Sequence, residues 1–214
     1  MNAATRPLQR TSTVDALVDA LRHEILDGAL PAGAWLRERE LCETYGVARH
    51  SLRAALRQLA ADGLVRIEPH RGAHVALLSA NEVRWLYELR AALELEAAHL
   101  ALERGGGRLP PAVHEALQRL QDACAGADRP WSEVNAAHAG LHEAIVAAAG
   151  SPRIAAAHAA LNGEMQLFLL ALRPHVAPRE LAEDHEALVR GLEAEGPSVL
   201  RDHLRRAAET LIEA

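Results

Sequence analysis

The sequence predicts a mainly α protein in two parts: a small N-terminal domain ending in a β-hairpin, then an all-α helical bundle. Three observations carry this. Half of the 214 residues are apolar while only 3% are aromatic, and the abundance of Ala favours helix over sheet. β-rich runs are confined to residues 64–78, and from Asn81 onward helical periodicity is interrupted only by Gly and Pro.

Along the first part, Val14, Leu17, Val18, Leu21 and Ile25 recur at helical spacing behind Thr11, Ser12 and Thr13, any of which can cap the helix. Gly28 stops it, and Pro31 and Gly33 make the following turn. A second helix is expected over about 38–45, ending at Gly46, and a third over about 49–62, ending at Gly63. LVRIEP and AHVALL then read as two short strands separated by His70, Arg71 and Gly72. Helix, helix, tight turn, helix and hairpin in that order is a winged helix-turn-helix.

Breaks at 105–107 with Pro110 and Pro111, at 128–130, 150–152, 174–178 and 196–197 divide the remainder into six expected helices of about 16 to 25 residues. The expected organisation is a disordered N-terminus over 1–10, a winged helix-turn-helix over 11–78, and an all-helical domain over 79–214.

The net charge of −6 is unevenly spread. Residues 1–79 carry +1 and residues 80–214 carry −7, while the segment 49–71, with five Arg against Asp62 and Glu68, is locally +3. A basic segment on an acidic chain points to a polyanion contact at one end. The expected third helix has Leu52, Ala55, Leu56 and Leu59 as its inward stripe and Arg49, Arg53 and Arg57 beside it, with His50 further out. An apolar back and an Arg-lined front suit a helix lying in the major groove of double-stranded DNA. No apolar run reaches the roughly 18 residues needed to span a membrane, and the first residues lack the apolar core of a signal peptide, so a cytoplasmic protein with no membrane partner is expected. Cys42 and Cys124 have no paired spacing and are expected as packed thiols.

The stretch from Leu21 to Val75, with "LRHEILDGALPAGAWLRERELCETYGVARHSLRAALRQLAADGLV" and "HRGAHV", resembles the N-terminal domain of GntR-type bacterial transcription regulators. The resemblance implies that Arg39, Arg49 and Arg53 contact DNA, with His50 and Ser51 at the positions that are often Thr-Pro in the family. It makes His70, Arg71 and Gly72 the wing. Ala48 stands where the family usually has Ser or Thr.

In the second part, His138 and His142 lie at i and i+4 on a face shared with Leu141 and Ile145. His185 shares a face with Leu188, Val189 and Leu192, and His203 with Val199, Leu200 and Ala207. Four histidines on three helices therefore point inward, where a bundle can hold a metal. Periodicity alone also turns His99 and His158 toward apolar faces, so inward spacing does not by itself distinguish ligands from hydrogen-bonded core residues.

"LHEAIVAAAGSPRI", "DHEALVRGLEAEG" and "RDHLRRAAETL" are similar to the signature blocks of the all-helical FCD effector domain in the FadR-type branch of that family, and six helices match its smaller, VanR-like version. The resemblance implies a divalent metal on His142, His185 and His203, with His138 where an Asp is common. That leaves a four-histidine site, a three-histidine site or no site. An all-imidazole shell suits a transition ion, Zn or Ni first, and not Mg or Ca. Arg90 matches the family's pocket-facing Arg and implies a small organic acid bridging it and the metal; its other reading is a surface ion pair with Glu94 at i+4.

The expected function is a homodimeric DNA-binding regulator of the repressor type, and not an enzyme. Two operator half-sites about one helical turn apart require two heads, and the resemblance places the dimer contact on the first and fourth helices of the second domain. A metal sensor whose effector is the ion itself is the first alternative. A metal-dependent hydrolase using Glu143 or Glu164 is the second.

Overall fold

The computed structural model of the protein describes residues 12–126 and 129–213, so the expected disordered segment 1–10, Thr11 and Asp128 lie outside the described residues. Helix α1 (Thr13–Leu26) begins at Ser12, whose hydroxyl accepts from the Asp15 N–H while the Asp15 side chain accepts from the Ser12 N–H. This reciprocal box satisfies two of the donors a helix start leaves open. The chain then forms β1 (Trp35–Leu36), α2 (Glu38–Tyr45), α3 (Arg49–Ala61), β2 (Val65–Glu68) and β3 (Gly72–Val75).

The two expected strands pair antiparallel, from Val65 opposite Val75 to Glu68 opposite Gly72. A third strand joins them: β1 pairs with β3, giving the sheet order β1-β3-β2. Two residues are too few for an alternation to register in a sequence. Leu52, Ala55, Leu56 and Leu59 of α3 are buried as the stripe requires, packed with Leu17, Leu21 and Ile25 of α1. Burial of each such Leu contributes roughly 1.5–3 kcal/mol.

Ser79 caps the long helix α4 (Ala80–Arg104) in a second reciprocal box with Glu82. The Ser79 N–H and hydroxyl, opposed by partial burial and helped by Arg66, hold the Glu82 carboxyl down at about 2. The bundle continues through α5 (Pro111–Ala125), α6 (Trp131–Ala148), α7 (Pro152–Ala159), α8 (Asn162–Leu172), α9 (Pro178–Glu195) and α10 (Ser198–Glu213). Among the described residues this domain has seven helices, not six, because the fourth expected helix is two short ones.

Just past the break at Ala160 and Leu161, Gly163 lies so close to the head that a Cβ there would be 1.7 Å from the Asp62 carbonyl oxygen, just past the end of α3. Across the same seam, Gly63 has φ 78°, and a Cβ on it would meet Glu164 Cγ at 2.6 Å. Leu167 of α8 is buried in the core of the head, and the Ser132 N–H donates to Asp27 Oδ1. The two domains are thus in direct contact through α8 and the start of α6. Both cysteines are free and half-buried.

Candidate nucleic-acid interface and metal centre

The turn between α2 and α3 is made by Gly46 in the left-handed conformation (φ 62°), which an L side chain adopts only at a cost. It presents the start of α3 outward. Arg49 and His50 are exposed in the first turn of α3 and Ser51 is half-buried behind them. Ala48 offers no side-chain cap and no acid stands in the first turn, so the opening N–H groups and the positive end of the helix dipole are available to a phosphate.

The other expected contacts are exposed and already loosely paired. Arg53 Nε lies 3.0 Å from both Glu38 oxygens, Arg39 lies 3.9 Å from Glu43, and Arg71 donates to Glu68 at 2.6 Å. Such surface pairs contribute about 0–1 kcal/mol and can exchange for phosphate. At the hairpin tip His70 has φ 63° and Gly72 φ 107°, and the Arg71 guanidinium sits 5.4 Å from the Trp35 ring centroid. The strand missed in the sequence thus supports the wing.

In the bundle, α6, α9 and α10 bring His138, His142, His185 and His203 together, with neighbouring ring centroids 4.7 to 5.6 Å apart. His142 and His185 are oriented from outside. His142 Nδ1 donates to Glu94 Oε2 at 2.7 Å, and His185 Nδ1 donates to the Leu181 carbonyl at 2.7 Å. With their protons on Nδ1, both rings turn Nε2 lone pairs inward, and these two atoms lie 3.3 Å apart. With those tautomers neither ring has a proton to give the other, and a cation between the two nitrogens would use both lone pairs. The separation is also about the edge of a tetrahedron whose corners are 2.0–2.1 Å from a central ion. The residues therefore fit a metal ion, and the outward bonds are those that orient metal-binding imidazoles.

Two ligand groupings share His185. One is His138, His142 and His185; the other is Asp184, His185 and His203, each with its ligand atoms within 4.8 Å. Asp184 was not singled out in the sequence, although it opens the "DHEALVRG" block. Its Oδ2 lies 2.8 Å from His203 Nδ1 but off the line a hydrogen bond needs, so that buried nitrogen has no hydrogen-bond partner. The neighbouring His203, opposed by burial and helped by His185 and Arg206, leaves the Asp184 carboxyl well below its usual range. Burial pushes His142 down to about 4 against the pull of Glu94, and burial with the neighbouring histidines pushes His138 and His185 well below 6.5. All three are neutral at physiological pH, the form that binds metal.

Arg90 corrects a simple expectation. It does pair with Glu94, at 2.8 Å, but not on the surface: the two side chains are 4% and 0% exposed. Glu94 also accepts from His142 and, at 3.2 Å, from His158 Nε2 on α7, so one buried carboxylate ties α4, α6 and α7 together. Burial works to raise the Glu94 carboxyl, and the Arg90 guanidinium with His142 more than reverses this, holding it well below its usual range. Glu94 was missed as a functional residue, though Arg90 and Glu94 fall within the buried stripe of α4 that runs Val83, Tyr87, Ala97 and Ala101. Of the two other histidines placed on apolar faces, His158 is buried and hydrogen-bonded while His99 is exposed, because its side of α4 faces outward.

Arg90 nevertheless borders a cavity of about 270 Å³, lined also by His138, His185 and His203 and by Met165, Leu169 and Leu172 of α8. Glu143 is exposed and bonded to Asn162, and Glu164 lies at the seam with the head, so neither acid proposed for water activation reaches the histidines.

A winged head with an Arg-lined helix, joined to a bundle with a histidine-lined cavity, defines a ligand-responsive DNA-binding regulator. Residues 13–75 match the family described as "Bacterial regulatory proteins, gntR family", and residues 85–210 match the FCD domain. The chain belongs to the GntR family, as a member with an FCD domain.

It is 30% identical over 93% of its length to the "Probable D-xylose utilization operon transcriptional repressor" of Paenarthrobacter nicotinovorans, of which it covers 87%. It is 30% identical over 86% of its length to the "HTH-type transcriptional repressor GlaR" of Escherichia coli, of which it covers 89%. A crystal structure of a GntR regulator from Rhodococcus sp. RHA1 superposes with a TM-score of 0.75 at 26% identity, covering 94% of this chain and 98% of that one. Members of this family are transcriptional regulators and not enzymes, which removes the hydrolase alternative. FCD domains often bind metal ions, and the histidine groups here can hold one. Among the described residues no helix is long and apolar enough to cross a membrane.

Proposed function

We propose that this regulator is a cytoplasmic repressor that binds operator DNA as a homodimer and is controlled by a small carboxylate held near a histidine-bound transition metal. The observation that carries it is the pair of Nε2 atoms of His142 and His185 facing each other at 3.3 Å beside a cavity that also exposes Arg90. His142, His185 and His203 hold the ion, Zn or Ni by ligand softness, with His138 as a fourth donor. When bound, the metal supplies a positive centre that attracts an anion.

Arg49, His50, Ser51 and Arg53 meet the major groove, Arg39 the backbone, and His70, Arg71 and Gly72 the minor groove. Relatives named as repressors give the sign of regulation. Trp85 and Leu89, exposed at 63% and 46% on α4, are the apolar patch that a second copy would cover.

Control of DNA binding needs a physical path, and α8 supplies it. Met165, Leu169 and Leu172 line the cavity while Leu167, on the same helix, packs in the core of the head, and Gly163 abuts the end of α3. A ligand that moves α8 moves the reading helix; a coupling of roughly 1–3 kcal/mol suffices.

The test is operator binding by chelator-stripped and metal-reloaded protein, with and without a small-carboxylate panel, for wild type and Arg90→Ala. Release by an acid only in the reloaded wild type supports the reading. Equal carboxylate affinity in both proteins removes Arg90 from it. One observation favours a second reading: the Arg90 charge is already met by Glu94, which leaves the ion as the stronger signal. Release that tracks metal concentration with no acid present identifies a metal sensor.

A further inference from the structure

Part of the cavity lining is an apolar stripe, and this narrows the effector. We infer that the ligand is a carboxylate with an apolar tail, and not a sugar acid; this rests on the proposal that the cavity is the effector site. The space, about 270 Å³, corresponds to about nine water volumes, so the acid has roughly nine non-hydrogen atoms or fewer.

Arg90, His138, His185 and His203 line the cavity, and an ion held by the histidines would meet a carboxylate there. Met165, Leu169 and Leu172, which also line it, are spaced i, i+4 and i+7 on α8 and are all buried, and Val176 adds to the apolar lining. A chain of methylenes or a small ring lying on that stripe leaves water at about 0.8 kcal/mol per methylene. The stripe has no donor or acceptor for a hydroxyl, and a hydroxyl buried there unpaired is penalised.

The experiment uses the full chain reloaded with Zn and measures affinity by calorimetry and by thermal shift for three sodium salts: acetate, hexanoate and threonate. Hexanoate and threonate both stay within the size limit, and they differ in offering methylenes or hydroxyls to the stripe. Hexanoate is expected to bind about tenfold or more tighter than each of the others. Leu169→Asn is expected to bring hexanoate down to the level of acetate.

Threonate binding as well as hexanoate overturns the apolar-tail assignment while leaving an acid effector in place. Equal affinity for acetate and hexanoate shows that the stripe makes no contact and also overturns it. No binding of any of the three overturns the acid effector together with the tail. The wild-type series decides these outcomes even if Leu169→Asn fails to fold.

Discussion

The head and the bundle handle charge in opposite ways. In the head, Arg39, Arg49, Arg53 and Arg71 are all exposed, and their acidic partners, where they have them, are exposed or half-buried. In the bundle, Arg90, Glu94, His142, His158 and His185 are all buried and bonded to one another or to the backbone. Charges that must meet a large external polyanion stay in water, where they exchange partners cheaply. Charges that hold a small ion must be fixed before it arrives, and burial in a closed network does that. The same residue types therefore contribute little to stability in one domain and much in the other.

The largest expected effect comes from breaking the buried network. Glu94→Ala leaves Arg90 in the interior without a counter-charge and removes the acceptor that orients His142. A loss of about 3–5 kcal/mol in urea unfolding is expected, with weakened metal retention against a chelator. A change within about 0.5 kcal/mol would mean that the network is not a structural element.

Acidification probes the same contrast without mutation. His142 is lowered from 6.5 to about 4 by burial, so the metal-free folded state resists a proton that the unfolded chain accepts. Its contribution is fully present above pH 6.5 and is lost as pH falls toward 4, reaching about 3 kcal/mol for this residue. His138 and His185, lowered in the same direction, steepen the loss. Thermal unfolding of chelator-treated protein between pH 7.5 and pH 4.5 reads this out, and a flat profile above pH 5 would count against neutral buried imidazoles.

The head is expected to answer in binding and not in folding. Arg49→Ala should weaken operator affinity by about 1–3 kcal/mol in fluorescence anisotropy and leave the unfolding midpoint essentially unchanged. A matching loss of stability would make Arg49 part of the scaffold and erase the distinction between the domains.

Much of the head was legible because its signals are local. The Leu52, Ala55, Leu56 and Leu59 stripe, the Gly46 turn and the two strands each lie within one short segment, and each formed as read. The convergence of His138, His142, His185 and His203 was legible too, since helical spacing fixes which residues share an inward face. What failed depended on partners far away in the chain. Strand β1 exists because β3 is beside it, α7 and α8 part where Gly163 meets Asp62, and His99 is exposed because of where α4 lies.

By itself the sequence determined the class of fold, the Arg-lined face and the inward faces that carry His138, His142, His185 and His203, because periodicity and turn chemistry act over a few residues. Only the tertiary structure decided that Arg90 is buried against Glu94, that Glu94 links His142 to His158, and that α8 is shared by the cavity and the head. The reason is physical: desolvation and hydrogen-bond alignment depend on what surrounds a side chain from every direction, and neighbours on other helices supply most of that surrounding.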